Sequence, residues 1–225
     1  MSDTDGFIEE VTEEVRRDKL YGHLRRYGWI GVLFIVLVVG GTAWQTWRSG
    51  QEREQAQALG DAMLNALEQQ NASERIESLT SIESSSSTAT ALRDFLLAAA
   101  QMDEGNIESG RQTLKVIEDN ADLPMVYRQI ASFKSLSGAG DTVPADERRA
   151  GFEALAQPGG ALRLLAEEQI VLIEIETGET DAAIERLQRL LEDAEATPDL
   201  QQRAVQVIVA LGGEPDLAFG ASAEN

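Results

Sequence analysis

Asn71-Ala-Ser-Glu-Arg-Ile-Glu-Ser-Leu-Thr-Ser-Ile-Glu83 aligns without a gap on Asn106-Ile-Glu-Ser-Gly-Arg-Gln-Thr-Leu-Lys-Val-Ile-Glu118, 35 residues further along the chain. Both stretches carry an apolar pair three residues apart, Leu79/Ile82 and Leu114/Ile117, and the pair recurs as Phe152/Leu155 and Leu187/Leu190. The steps between pairs are 35, 38 and 35 residues. Apolar residues three apart share one face of a helix. Gly105, Gly140 and Gly178 precede the last three pairs by 9, 12 and 9 residues. Glycine enters the left-handed conformation without steric cost, so at these places it can end one helix and let the chain reverse into the next. Each period therefore reads as helix, tight turn, helix. One such hairpin cannot bury its apolar side alone, and successive hairpins must stack on a continuous core. The expected fold class is all-α, an α-solenoid of about four hairpins.

The rest of the chain fits that reading. Hydrophobic residues make up 43% of the sequence and aromatics only 5%, a balance suited to helices of Ala, Leu and Ile. Three breaks punctuate it. Ser84-Ser85-Ser86-Ser87 reads as a flexible joint or long turn, Pro158-Gly159-Gly160 separates two helices, and Gly212-Gly213-Glu214-Pro215 ends the last one. Residues 212–225 are expected to be a disordered tail.

Upstream of the repeats, 21 consecutive residues from Tyr27 to Trp47 carry no charge. As a helix they span about 31 Å, which matches a bilayer core of about 30 Å. Tyr27 and Trp29 at one end, and Trp44 and Trp47 at the other, are the rings that favour the headgroup level. Arg16, Arg17, Lys19, Arg25 and Arg26 precede the segment, while only Arg48 and Arg53 follow within a comparable distance. That bias keeps the N-terminus inside and exports the C-terminal part. A cleaved signal peptide is the competing reading, because Gly41-Thr42-Ala43 offers small residues for a cut. The apolar run is longer than a usual signal core, so an uncleaved anchor is expected. The division is then 1–26 cytoplasmic tail, 27–47 transmembrane helix, 48–211 exported repeat domain and 212–225 tail. In the first part Phe7, Ile8, Val11 and Val15 fall at helical spacing, which suits a short solvated helix or a docking segment.

The formal charge is −20, of which residues 48–225 carry −18. A domain this acidic repels phosphate backbones, so nucleic acid is not expected as a partner. Catalytic groups are scarce. The chain has no cysteine and one histidine, His23, next to the apolar segment and on the wrong side of a membrane to serve an exported domain. That leaves no zinc cluster and no nucleophile–base pair. Gly138-Ala139-Gly140 is short and lies between helices, so it reads as a turn rather than a phosphate cradle. No twelve-residue calcium loop is present. Glu167-Glu168 and Glu192-Asp193 have the spacing of solvated helix faces. No enzyme activity, cofactor, metal or small-molecule substrate is expected.

The period and the glycine turn resemble the tetratricopeptide repeat. Gly110 and Ala183, small residues before the core pair, fit its pattern, as does Leu59-Gly60. The sequence departs from it where Arg75 and Arg148 hold that small site, where most of the consensus aromatics are missing, and where Pro124 and Pro198 come late. With Leu24-Arg25-Arg26-Tyr27-Gly28-Trp29 running into the apolar segment, residues 1 to about 211 resemble the bacterial ancillary subunit family of the SecYEG translocon. The resemblance implies a bacterial inner-membrane protein with one span, a cytoplasmic N-terminus and a periplasmic repeat domain. Its partners would be Sec translocon subunits, periplasmic chaperones or exported clients.

The functional expectation is a membrane-anchored interaction scaffold. A holdase-type periplasmic chaperone, or an envelope-assembly or division regulator, is the alternative, because the fold alone does not choose. Counting back from the core pairs places Leu92, Tyr127 and Leu165 in one repeat-equivalent row of the first helices. Phe95, Ile130 and Glu168 form the next, and Ala99, Lys134 and Leu172 the third. The candidate partner-binding residues are Leu92, Phe95, Tyr127, Ile130, Leu165 and Leu172. Equivalent positions in core are the competing reading.

Overall fold

A computed structural model describes residues 33–34, 37–42, 44–51, 53–84 and 86–216. The chain divides into two compact units, Met1–Gly60 and Asp61–Asn225.

In the first unit every described residue is helical, with Trp44 and Trp47 tilted against each other at 5.6 Å between ring centroids. Nine of the 21 residues of the expected 27–47 span, Tyr27 and Trp29 among them, and the bases from Arg16 to Arg26 lie outside the described residues. Among the described residues no helix is long and apolar enough to cross a membrane.

The second unit is helical throughout, with no strand among its described residues. Helical residues 61–67 form α1. There follow α2 (Ala72–Ser81), α3 (Ser87–Asp103), α4 (Ile107–Glu118), α5 (Met125–Ser137), α6 (Ala145–Leu155), α7 (Arg163–Glu176), α8 (Thr180–Glu192) and α9 (Pro198–Ala210). From α2 onward, each helix packs on the next in sequence.

The core is segmented in the same way. Ala66 of α1, Leu79 of α2, and Leu97 and Ala100 of α3 form the first cluster. Ala91 and Ala98 of α3, Leu114 and Ile117 of α4, and Ala131 of α5 form the second. The third joins Phe152 and Leu155 of α6 to Ala166, Ile170 and Ile173 of α7, with Phe133 and Leu136 of α5 packed on it. Phe133 meets Phe152 edge to face at 5.5 Å. The fourth holds Val171 of α7, Leu187, Leu190 and Leu191 of α8, and Leu200, Ala204 and Ile208 of α9. Each cluster is thus one hairpin closed by the first helix of the next. Burying one Leu or Ile of this kind contributes about 1.5–3 kcal/mol. α9 closes the fourth cluster and so occupies the place of a fifth first helix.

The turns explain the irregular step of 38. Gly105, Gly178 and Gly212 have φ of 85°, 78° and 84°. At each, the glycine N–H donates to the carbonyl three residues back, and the next N–H reaches five back, as from Glu179 to Glu174 O at 2.7 Å. This is the Schellman closure of a first helix. After α5 the chain inserts a 3₁₀ turn, Gly140–Thr142, before α6 begins at Ala145. Those three residues make the longer step. The serine run, read as a joint, supplies a cap: the Ser86 hydroxyl accepts from the Ala89 N–H at 3.4 Å and starts α3.

Candidate functional site

The repeat register puts α3, α5, α7 and α9 in equivalent places, and α7 and α9 sit side by side: Arg203 Nε donates to Glu168 Oε1 at 2.7 Å. The exposed apolar side chains of these first helices lie at related positions. Leu92 on α3 is 48% exposed, and Leu165 and Leu172, two turns apart on α7, are 44% and 50% exposed. Phe95 and Tyr127 are half-buried and packed against the α3–α5 cluster. Ile130 is half-buried.

On α5 the open stripe differs from the one counted on the sequence. Val126, Ile130 and Lys134, four residues apart, form it, because fully buried Ala131 turns the neighbouring positions inward. The first-helix face therefore consists of Leu92, Val126, Leu165 and Leu172, with Ile130 between them and Lys134 exposed. On α9 the equivalent places are polar, Asp199, Gln202, Arg203 and Gln206. An apolar row that ends in a polar helix is a bounded surface.

Beside Leu165 an open cleft of about 470 Å³ is lined by Leu164, Leu200, Arg163 and Arg203 among others. Both guanidiniums are already paired. Arg163 donates to Asp193 at 2.7 Å and to Glu195 at 2.6 Å, and Arg203 to Glu168. Asp193 is held below its ordinary acidity value by Arg163 and then by the Glu195 backbone N–H. Glu179 is held low in the same way by Arg149 and the Thr177 hydroxyl.

Glu167, Glu168 and Asp193, whose spacing suggested solvated helix faces, are instead half-buried and ion-paired. Arg186 of α8 reaches both Glu167 and buried Glu174, the latter through Nη2 at 2.8 Å. Such pairs join residues 12 to 35 apart in sequence, and no local pattern announces them. Arg148, at the small-residue site of α6, is buried. Its Nε donates to Val143 O at 3.1 Å, and its Nη2 reaches Glu176 of α7. The 3₁₀ insertion brings Val143 to that place. Among the described residues no group of His, Asp or Glu is arranged to hold a metal ion.

What this arrangement can do is bind. It offers apolar side chains already exposed on rigid helices, with Arg163, Arg186 and Arg203 already paired to carboxylates. No curated protein matches the chain. Residues 23–137 match the tetratricopeptide repeat-like domain, a protein-interaction fold, and the match takes in just over half of the 225 residues. With the glycine turns, the hairpin clusters and this match together, the chain belongs to the tetratricopeptide repeat-like family.

Proposed function

We propose that this protein is a non-catalytic scaffold, anchored in the bacterial inner membrane by one helix over 27–47, that presents its first-helix face to partner proteins in the periplasm. The observation that carries the binding role is the exposure of Leu92, Leu165 and Leu172 at repeat-related positions, over a core that is already closed. Solvent-exposed leucines on rigid helices leave apolar area for a partner to cover.

Support for the anchor comes from the uncharged run and the flanking bases. Leu33, Phe34, Leu37, Val38 and Val39 are exposed large apolar residues within it. The family match begins at His23 and so includes that segment. The resemblance of the N-terminal region favours partners at the Sec translocon, together with periplasmic folding factors.

Two measurements test this reading. A reporter fused after Asn225 that works only in an exported compartment should be active, and activity of a cytosol-only reporter would reject the orientation. Detergent extraction with crosslinking should recover translocon subunits with the full chain. Recovery of a division complex instead would move the scaffold to another process. Suppression of aggregation of unrelated denatured proteins, without a stable complex, would favour the holdase alternative.

A further inference from the structure

We infer that the open end of the solenoid is closed by the chain's own residues Leu217 and Phe219, laid over the α8–α9 end face where a following helix would sit. The inference does not depend on the binding role proposed above.

α5 packs between α4 and α6, and α7 between α6 and α8, whereas α9 has α8 and no following helix among the described residues. Counting back from the turn glycines shows what this leaves uncovered. Ala98, Val171 and Val205 stand seven residues before Gly105, Gly178 and Gly212. Ala98 and Val171 are buried in clusters shared with α4 and α8, but Val205 is only half-buried. Met102, Ile175 and Val209 stand three residues before the same glycines. Met102 packs on the α3–α4 cluster and Ile175 on the α7–α8 cluster, while Val209 is exposed. The side of α9 that a further second helix would cover therefore keeps apolar area open.

After Gly212 the chain makes no helix and turns back on α8. Gly213 is pressed between the two last helices: an added methyl there would meet Ile208 at 3.0 Å and Ile184 at 3.1 Å. One turn further along α8, Gln188 clamps the backbone. Its Nε2 donates to the Glu214 carbonyl at 2.8 Å, and its Oε1 accepts from the Asp216 N–H at 3.0 Å. A carbonyl and an N–H two residues apart share one edge of extended backbone. The segment thus runs alongside α8 from Ile184 toward Leu191.

Its burial alternates. Gly213 and Pro215 are half-buried, and Glu214 and Asp216 are exposed. Side chains of an extended chain point to opposite faces in turn, so the same register puts Leu217 and Phe219 inward and Ala218 outward. The residue types agree, with acids at the outward places and apolar residues at the inward ones. Three extended residues advance about 10 Å, and Leu191 lies only about 4.5 Å along α8 beyond Gln188. There Gln201 of α9 donates to the Leu191 carbonyl at 3.4 Å, with Val205 one turn away. Leu217 covers Val205, and Phe219 covers the step between Gln201 and Leu191. Glu214 and Asp216 on the outer side give the stack a polar end, which repeat arrays need for solubility.

The chain has no cysteine, so introduced pairs report only on their own positions. A bridge needs Cβ atoms within about 4.5 Å. In the full chain in nonionic micelles, at low protein concentration and under mild oxidation, Val205→Cys with Leu217→Cys should bridge within one chain. Gln201→Cys with Phe219→Cys should do the same, and both should form several-fold faster than Val205→Cys with Ala218→Cys. Leu217→Ser with Phe219→Ser should lower the melting temperature by about 2–6 °C with the helical dichroism unchanged.

Equal rates from positions 217, 218 and 219, or no bridge from 217 and 219, overturn the inference. Bridges that form between chains also overturn it and assign the end face to a second copy. So does a melting temperature unchanged in the serine variant.

Discussion

Arg148 of α6 donates from Nη2 to both carboxylate oxygens of Glu176 on α7, at 2.6 and 2.7 Å, from the site that Gly110 holds in α4 and Ala183 in α8. A long cation replaces a small residue because its stem stays buried while its head finds Glu176 and the Val143 carbonyl. Arg148→Met keeps the stem and strips both partners. It should cost about 1–3 kcal/mol in urea unfolding, the range for orphaning partly buried hydrogen-bonding groups. Glu176 is about half exposed and can turn to water, which keeps the loss within that range. A neutral result would mean the pair contributes only surface electrostatics.

Truncations should separate core from face. Leu114 and Leu187 are 1% and 3% exposed, and their change to Ala should cost about 2–5 kcal/mol each. Leu165 and Leu172 are open, and the same change there should stay within about 0.5 kcal/mol. Thermal unfolding of the four variants decides it. Phe95 and Tyr127 belong with the core half of this comparison, since a charged side chain at either would disrupt the α3–α5 cluster.

The two kinds of glycine should respond differently. Gly178 sits at φ 78° with open space around it, so Gly178→Ala should cost about 1–2 kcal/mol from backbone strain alone. Gly110 lies in an ordinary helix, but an added methyl would come within 2.5 Å of Met102 Cγ and 2.9 Å of the Ala98 carbonyl oxygen. Met102 can move and the carbonyl cannot, so Gly110→Ala should loosen α3 against α4, at about 1–3 kcal/mol. Hydrogen exchange of α3 and α4 amides should rise in Gly110→Ala and stay near wild type in Gly178→Ala.

Much of this fold was legible before the structure. The apolar pairs from Leu79/Ile82 to Leu187/Leu190 proved to lie in α2, α4, α6 and α8 or their caps, because one local spacing sets both helical face and repeat register. The glycines were legible for the same local reason. The 3₁₀ turn after Gly140 was visible only as an extra three residues. The ionic groups were not legible, because Glu168 and Arg203 are 35 residues apart and meet only when first helices stack. Nor was the rotation of α5, since tight packing of Ala131 sets it and that position looks like any other alanine.

Acid should loosen the C-terminal hairpins first. Asp193 and Glu179 are held below their ordinary values of 3.8 and 4.5 by Arg163 and Arg149. As pH falls, protons bind these groups in the unfolded chain before the folded one, so folding is disfavoured. The stability they supply is present above about pH 5 and declines as pH drops through the ordinary values toward the folded ones. Arg163→Met with Arg149→Met should lower the plateau and flatten the decline. A melting temperature just as steep in pH for that variant would assign the acid sensitivity to other carboxylates.

The central claim, that the first-helix face is where partners bind, is tested most directly by photo-crosslinking in the intact cell. A crosslinking side chain is placed in the full-length protein at Leu92, Leu165 or Leu172, and for comparison at Val116 of α4, which is 63% exposed on a second helix. Protein adducts should form from the three first-helix sites and be absent or much weaker from Val116. Adducts of equal strength at Val116, or none from Leu92, Leu165 and Leu172, would contradict the claim.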